Sequence, residues 1–406
     1  MLPVVTKGLK QPVLALFSDV HRPFFLGGGI FAIVSISLWL LNLTGITPYA
    51  WVAVQKQIHM TQMIYFFFPF FFFGFLLTIF PRLLSVPAVP FHMIVLLFLL
   101  YFSGAVTFTV GIYAGAAWVC TGVLLAALSF ALLTFWLLRI FRQSTYPHKF
   151  VPAFMLAGII FGLIGMLMLV YFAFTANAVS GRIAEAIGLY GFLLPTIYAV
   201  SYRMVPIFTA ATGHDVTRDR YGLPLVFVFS LLRMFLTAAD LYEFYWLADI
   251  GLFCVITHQL WRWRIWQPKA YVIQAILHWA MAWLPLAFLL AAVTSFAAWL
   301  TGERWLVIEQ AALHALVIGG FGTLLLGMVT RVTLGHAGFS VITDRYTTML
   351  FYGFQLIPVM RVGSGLLGEA LPQFSIAGIY MAGLAWVVFF ILWGWRYLPI
   401  YLKGLP

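Results

Sequence analysis

Apolar residues run along this chain in blocks of about twenty, separated by short polar stretches. Twelve such blocks can be marked, near 24–46, 58–80, 91–111, 115–140, 151–175, 183–208, 222–240, 244–261, 272–299, 308–330, 347–361 and 375–398. About twenty apolar residues is the length a helix needs to cross the hydrocarbon core of a bilayer. The blocks are continuous and do not alternate, which predicts helices and excludes the strands of a membrane barrel. The eleventh is interrupted by Pro358 and Arg361 and predicts the least regular helix. The longest connections, near 209–221 and 331–346, are too short to part the chain into domains. The pattern therefore predicts an all-α polytopic membrane protein. Twelve transmembrane helices form a single domain over 1–406, with consecutive helices as antiparallel neighbours.

Composition strengthens that picture. The chain is 64% hydrophobic and 8% charged, with a mean hydropathy of +1.04. A soluble fold of this length could not bury so much apolar surface. The net charge of +11 could suggest nucleic acid, but its distribution excludes that partner in favour of the lipid bilayer. Seventeen Lys and Arg fall at one set of helix ends and four (Lys56, Arg182, Arg304 and Arg361) at the other, with Arg233 alone inside a helix. Such an asymmetry predicts both termini on the cytoplasmic side of a bacterial inner membrane. Lys7 and Lys10 precede the first block, which lacks a small-residue cleavage site and is read as a retained helix. Cys120 and Cys254 both lie in apolar blocks and form no CxxCH, zinc or disulfide pattern.

The candidate chemistry lies in the histidines. His59 falls in the first turn of the second block and His314 about two turns into the tenth, both near the outer side. Their depths differ by only one or two helical turns. Two imidazoles near one depth on separate helices suit the axial ligation of a b-type heme. The plainer reading is that each is a hydrogen-bonding residue of the bundle. Polar groups in lipid are costly enough to make function the default. Arg361 and Arg304, with Lys56, are the outer cations that could meet heme propionates; simple interfacial anchoring is the alternative. On the inner side, His278 and His336 are candidates for a second site, for copper or a second heme. Interfacial polar residues are the competing reading, shared by His258. His336 lies about 33 Å along a straight helix from His314, so the two cannot share a metal. Arg203, Arg331 and His336 could form an inner polar cluster that binds a quinol head group, a metal or an electron-donor protein. His92, His148 and His214 are read as facing water, and His21 as ordering entry to the first helix.

Several segments, in order, resemble the NnrS family. Arg22-Pro23-Phe24-Phe25-Leu26 matches its RPFFL, and Gly74-Phe75-Leu76-Leu77-Thr78 with Pro81 matches the end of its second helix. Arg203-Met204-Val205-Pro206 with Phe208-Thr209, then Arg262-Trp263 and Leu277-His278 with Trp283, follow. The longest match runs from His314-Ala315-Leu316 through Thr330-Arg331 to Gly335-His336-Ala337-Gly338, and a weaker one lies at Arg361. The resemblance implies a twelve-helix, heme- and copper-associated protein of the bacterial nitric oxide response. It departs where the family's second helix opens H-x-H-E-M, since this chain has His59-Met60-Thr61-Gln62-Met63. Thr61 and Gln62 are poor metal ligands, so copper at that position is not implied, while a heme on His59 and His314 is unaffected.

Helix count, and iron ligands on helices 2 and 10, also resemble the catalytic subunit of heme-copper oxidases. Helices 6 and 7 supply no histidine for that subunit's second metal, so an oxidase-type binuclear centre is not expected. A heme with two imidazoles has no open position for nitric oxide unless one leaves. Binding or electron transfer is therefore the expected role, with membrane oxidoreductase turnover left open. The rivals are a membrane transporter and a sensor or assembly subunit without turnover. Against a transporter, nearly all of the eleven acids lie at helix ends or in loops.

Overall fold

The computed structural model describes residues 15–46, 55–210, 216–217, 219–267, 271–339, 344–368 and 370–403. His214, Lys7, Lys10, Arg218 and Lys269 lie outside the described residues. Among the described residues there are no strands. Ten helices are long and apolar enough to cross a membrane. They are α1 His21–Leu43, α2 Gln55–Leu83, α3 Phe91–Ala114, α4 Ala116–Gln143, α5 Phe150–Thr175, α6 Ala178–Ala210, α9 Val272–Thr301, α10 Leu306–His336, α11 Arg345–Leu367 and α12 Pro372–Leu402. Two others, α7 Gly222–Ala238 and α8 Tyr245–Arg262, are 17 and 18 residues long. The protein is thus a helical, multi-pass membrane protein. The expected break at Pro358 and Arg361 does not occur, because α11 runs through both without interruption.

Consecutive helices pack as neighbours, and α12 returns to pack on α1 and close the bundle. Three helices occupy the middle. The most apolar windows of α2, α6 and α10 are 83%, 89% and 78% buried, against at most 50% for the other spanning helices. Each of the three also widens into one π turn, at Gln62–Phe67, Ile187–Leu193 and Ala315–Gly322 respectively. Such turns insert residues into a helix and recur at functional sites.

The π turn of α2 has a local chemical cause. Pro69 has no N–H and its ring collides with the carbonyl four residues back, that of Tyr65. The freed Tyr65 carbonyl needs another donor in a medium without water. Tyr101 of α3 supplies it, its hydroxyl donating to Tyr65 O at 2.5 Å. Tyr65 itself donates to Ala184 O of α6, so one widened turn ties α3, α2 and α6 together. Tyr101→Phe leaves that buried carbonyl unsatisfied and is expected to cost about 1–3 kcal/mol, read as a lower thermal midpoint of the purified protein in detergent.

Two of the described helices start on a side-chain cap. Asn177 Oδ1 accepts from Val179 N and Ser180 N at 2.9 and 3.1 Å, starting α6 five residues before the expected 183. Asp344 caps α11 through Thr347 N at 2.8 Å. The starts of α1 and α11 and the ends of α2, α10 and α12 share one face, which carries most of the basic residues.

Candidate functional site

Between α1, α2, α10, α11 and α12, on the face opposite the basic one, lies a cavity of about 360 Å³. That is within the usual range for small-molecule and cofactor sites, roughly 300–1,000 Å³. Its wall is mostly aliphatic and aromatic, including Ile36, Met63, Phe67, Val317 and Trp386. Four ionisable side chains line it: His59, His314, Arg361 and Lys56. The cavity therefore brings together the two histidines that the sequence singled out, with two of the three cations named beside them.

Each imidazole is held from behind. His59 stands three residues before the π turn of α2, its ring stacked on Trp39 of α1 at 4.6 Å and 24°. Its Nδ1 is buried and has no hydrogen-bond partner. His314 is the last residue before the π turn of α10. Its Nδ1 lies 2.7 Å from the carbonyl oxygen of Gln310, one turn back. A carbonyl can only accept, so Nδ1 carries the proton and Nε2 keeps its lone pair. A histidine anchored in this way on a backbone carbonyl has the tautomer and orientation of a metal ligand.

Arg361 projects from α11 into the same cavity. Its guanidinium makes no ion pair and no hydrogen bond among the described residues, though it lines the same cavity as both imidazoles. An uncompensated cation in an apolar cavity is costly, and an anion brought by a ligand would relieve it.

Arg304 is placed elsewhere. It lines a second, polar chamber of about 340 Å³, whose wall shares Lys56, Leu189, Gln310 and Leu313 with the first cavity. There its guanidinium holds Glu309 through two contacts of 3.0 Å and lies 3.8 Å from Asp240. The same chamber contains an ion pair that sequence reasoning missed. Arg233 Nε donates to Asp249 Oδ1 at 2.9 Å, with both side chains buried. The guanidinium lies 3.6 Å from the ring centre of Tyr245 and 4.7 Å from that of Tyr190. A signal was present: the turn between α7 and α8 centres near residue 241, and 233 and 249 are equally far from it, which puts them at one depth.

On the basic face the remaining candidates separate. His278 Nε2 lies 2.8 Å from Thr209 Oγ1. His336 lies beside His21, with ring centres 4.6 Å apart, and contacts Arg82 and Asp19. Arg331 stacks on Phe208, its guanidinium 4.0 Å from the ring centre, and Arg203 is on α6, the helix that carries Phe208. His258 lies near Trp261, and His148 near Tyr146. Gln62, which stands where the family motif has its acid, is fully buried with both amide atoms unpartnered.

A family model described as NnrS protein matches residues 15–404. No curated protein matches the chain.

Proposed function

The chain belongs to the NnrS family, and on that premise we propose that it is a heme-binding protein of the bacterial cytoplasmic membrane. In this reading twelve helices span the bilayer, both termini are cytoplasmic, and a b-type heme lies between His59 and His314. One observation carries the proposal: two anchored imidazoles and an unpaired guanidinium share one apolar cavity of cofactor size. His314 Nε2 and a ring nitrogen of His59 would hold its iron. Arg361, with Lys56, meets the propionates. The apolar wall excludes water, and Trp39 fixes the plane of the His59 ring.

Bound there, heme supplies one-electron chemistry and an affinity for diatomic gases. The protein's own residues determine which is used. With both imidazoles in place the site favours electron transfer. Nitric oxide would need one of the two histidines to give up its place. His59, whose Nδ1 has no partner, is held less firmly than His314, whose Nδ1–H is fixed by Gln310. A role in the nitric oxide response follows as protection or sensing through that heme. The central positions of α2 and α10, the helices that bear the two histidines, support the likeness to the heme-copper oxidase subunit. The departure at Thr61 and Gln62 argues against copper beside this cavity.

The test is the reduced-minus-oxidised visible spectrum of the purified protein, with and without nitric oxide, alongside iron and copper analysis. Sharp b-type bands with stoichiometric iron are expected, and nitric oxide is expected to shift them. A colourless, iron-free preparation that also fails to take up added hemin would overturn the reading and favour a transporter. Arg361→Leu is expected to weaken hemin binding about 10-fold, as befits a lost charge-assisted hydrogen bond. Arg361→Lys retains most of the affinity. Hemin titration of the heme-depleted protein measures both.

A further inference from the structure

We propose that Asp19, His21 and His336 form a three-ligand site for a divalent transition-metal ion on the basic face. The assignment does not rest on the heme reading, because these residues gather at the opposite end of α10 from His314. One ligand atom from each of the three lies within 4.8 Å of the other two. The residues come from the segment entering α1, the first turn of α1 and the last turn of α10, so only the folded bundle brings them together. Two imidazoles and one carboxylate suit zinc or copper(II) far better than magnesium or calcium, which prefer all-oxygen shells. Three protein ligands leave a fourth position open for water or a substrate oxygen.

Two further observations point to a ligand. His21 is almost wholly buried, and its Nδ1 has no hydrogen-bond partner. Leaving such an atom unpaired is costly, and this imidazole has a ring nitrogen within reach of the other two ligands. Asp19 is already oriented for the role. Arg22, itself buried and held by the carbonyl oxygens of Ala15 and Lys403 at 3.2 and 3.0 Å, grips Asp19 Oδ2 at 3.0 Å. That leaves Oδ1 facing His336 Nδ1, 3.5 Å away. Support of this kind from outside the ligand set fixes the ligand and tunes affinity. Asp19 and His336 are partly exposed, which gives an ion a path from solvent.

Arg82 supplies the opposing force. Its Nη1 lies 3.3 Å from His336 Nε2. A guanidinium can only donate, so Nε2 accepts and Nδ1 carries the proton, directed at Asp19. A metal taking Nδ1 requires the proton to move to Nε2, with no net change in protonation. The new N–H then faces the Arg82 donor, and the exposed Arg82 side chain must turn away. Arg82 thus competes with the metal for the geometry of His336.

The experiment is a titration of the full-length, chelator-treated protein with Zn²⁺ and Cu²⁺, followed by calorimetry and elemental analysis, with iron counted separately and Mg²⁺ as control. The wild type is expected to bind one zinc in this site and no magnesium. His336→Ala and Asp19→Asn are each expected to lose about 10-fold or more in zinc affinity, at unchanged helix content and elution volume. Arg82→Gln, which removes the cation and offers an amide oxygen that can accept from His336 Nε2–H, is expected to bind about 10-fold tighter. Unchanged zinc affinity in both ligand variants, no zinc binding by the wild type, or weaker binding by Arg82→Gln would each overturn the site. None of these outcomes depends on whether heme binds at His59 and His314.

Discussion

His314→Ala is expected to yield a protein that inserts and elutes as the wild type but holds roughly a tenth or less of its heme. The residue sits between a regular α-helix and a π turn, with Nδ1–H fixed by the Gln310 carbonyl. Alanine removes the ligand and leaves the helix hydrogen bonds untouched, so a folding defect is not expected to mask the result. His59→Ala is expected to lose heme similarly, since Trp39 and the cavity wall cannot replace an iron ligand. Trp39→Ala keeps the ligand and frees its ring, so a partial loss with broadened bands is the expected intermediate. His278→Ala and His336→Ala serve as controls, because both lie away from the cavity. Iron and hemochrome assays across the set decide the matter. Wild-type heme in both His59→Ala and His314→Ala would remove the ligand assignment, and complete loss in either control would place the heme elsewhere.

What could be read from the sequence follows a physical divide. Runs of apolar residues encode helices directly, and the positions of α3, α5 and α9 lie close to those the pattern predicts. The pairing of His59 with His314 was also accessible, because depth can be counted at 1.5 Å per residue once the helices are placed. Rotation about the helix axis is harder to count, as π turns reset it. The turn at Gln62 is signalled by Pro69, but no proline falls in α10 to signal the one at Ala315. Arg361 could be placed by depth, but Arg304, at the same end of the bundle, faces another chamber and is bound by Glu309 and Asp240. Arg304 lies in the connection between α9 and α10, so no helical period fixes where its side chain turns. The His21–His336 contact was hidden for a different reason: it needs two helix ends, far apart in sequence, to meet on one face. Pro358 in α11 shows the reverse error, where a local breaker is overruled because the bundle holds the helix on both sides of it.

Breaking the Arg233–Asp249 pair is expected to be among the most destabilising single changes, at about 3–5 kcal/mol. Asp249 is fully buried, and its Oδ2 has no partner. Its charge therefore depends on Arg233 alone, 2.9 Å away. Arg233 is better supported, by Thr237 and by the faces of Tyr190 and Tyr245. Arg233→Leu leaves a fully buried carboxyl without its one partner, which must then take up a proton, whereas Asp249→Leu leaves a guanidinium that still has two aromatic faces. The arginine variant is therefore expected to be the worse of the two. The double variant Arg233→Met with Asp249→Leu removes both charges and is expected to recover most of the loss, since replacing a whole buried pair is often neutral. Thermal midpoints of the four proteins in one detergent show whether the two changes add or compensate. If the double variant were as unstable as Arg233→Leu, the pair would owe its place not to charge compensation but to the shape and polarity it gives the chamber beside the histidine cavity. Hemin affinity, measured on the same four proteins, would then fall with it.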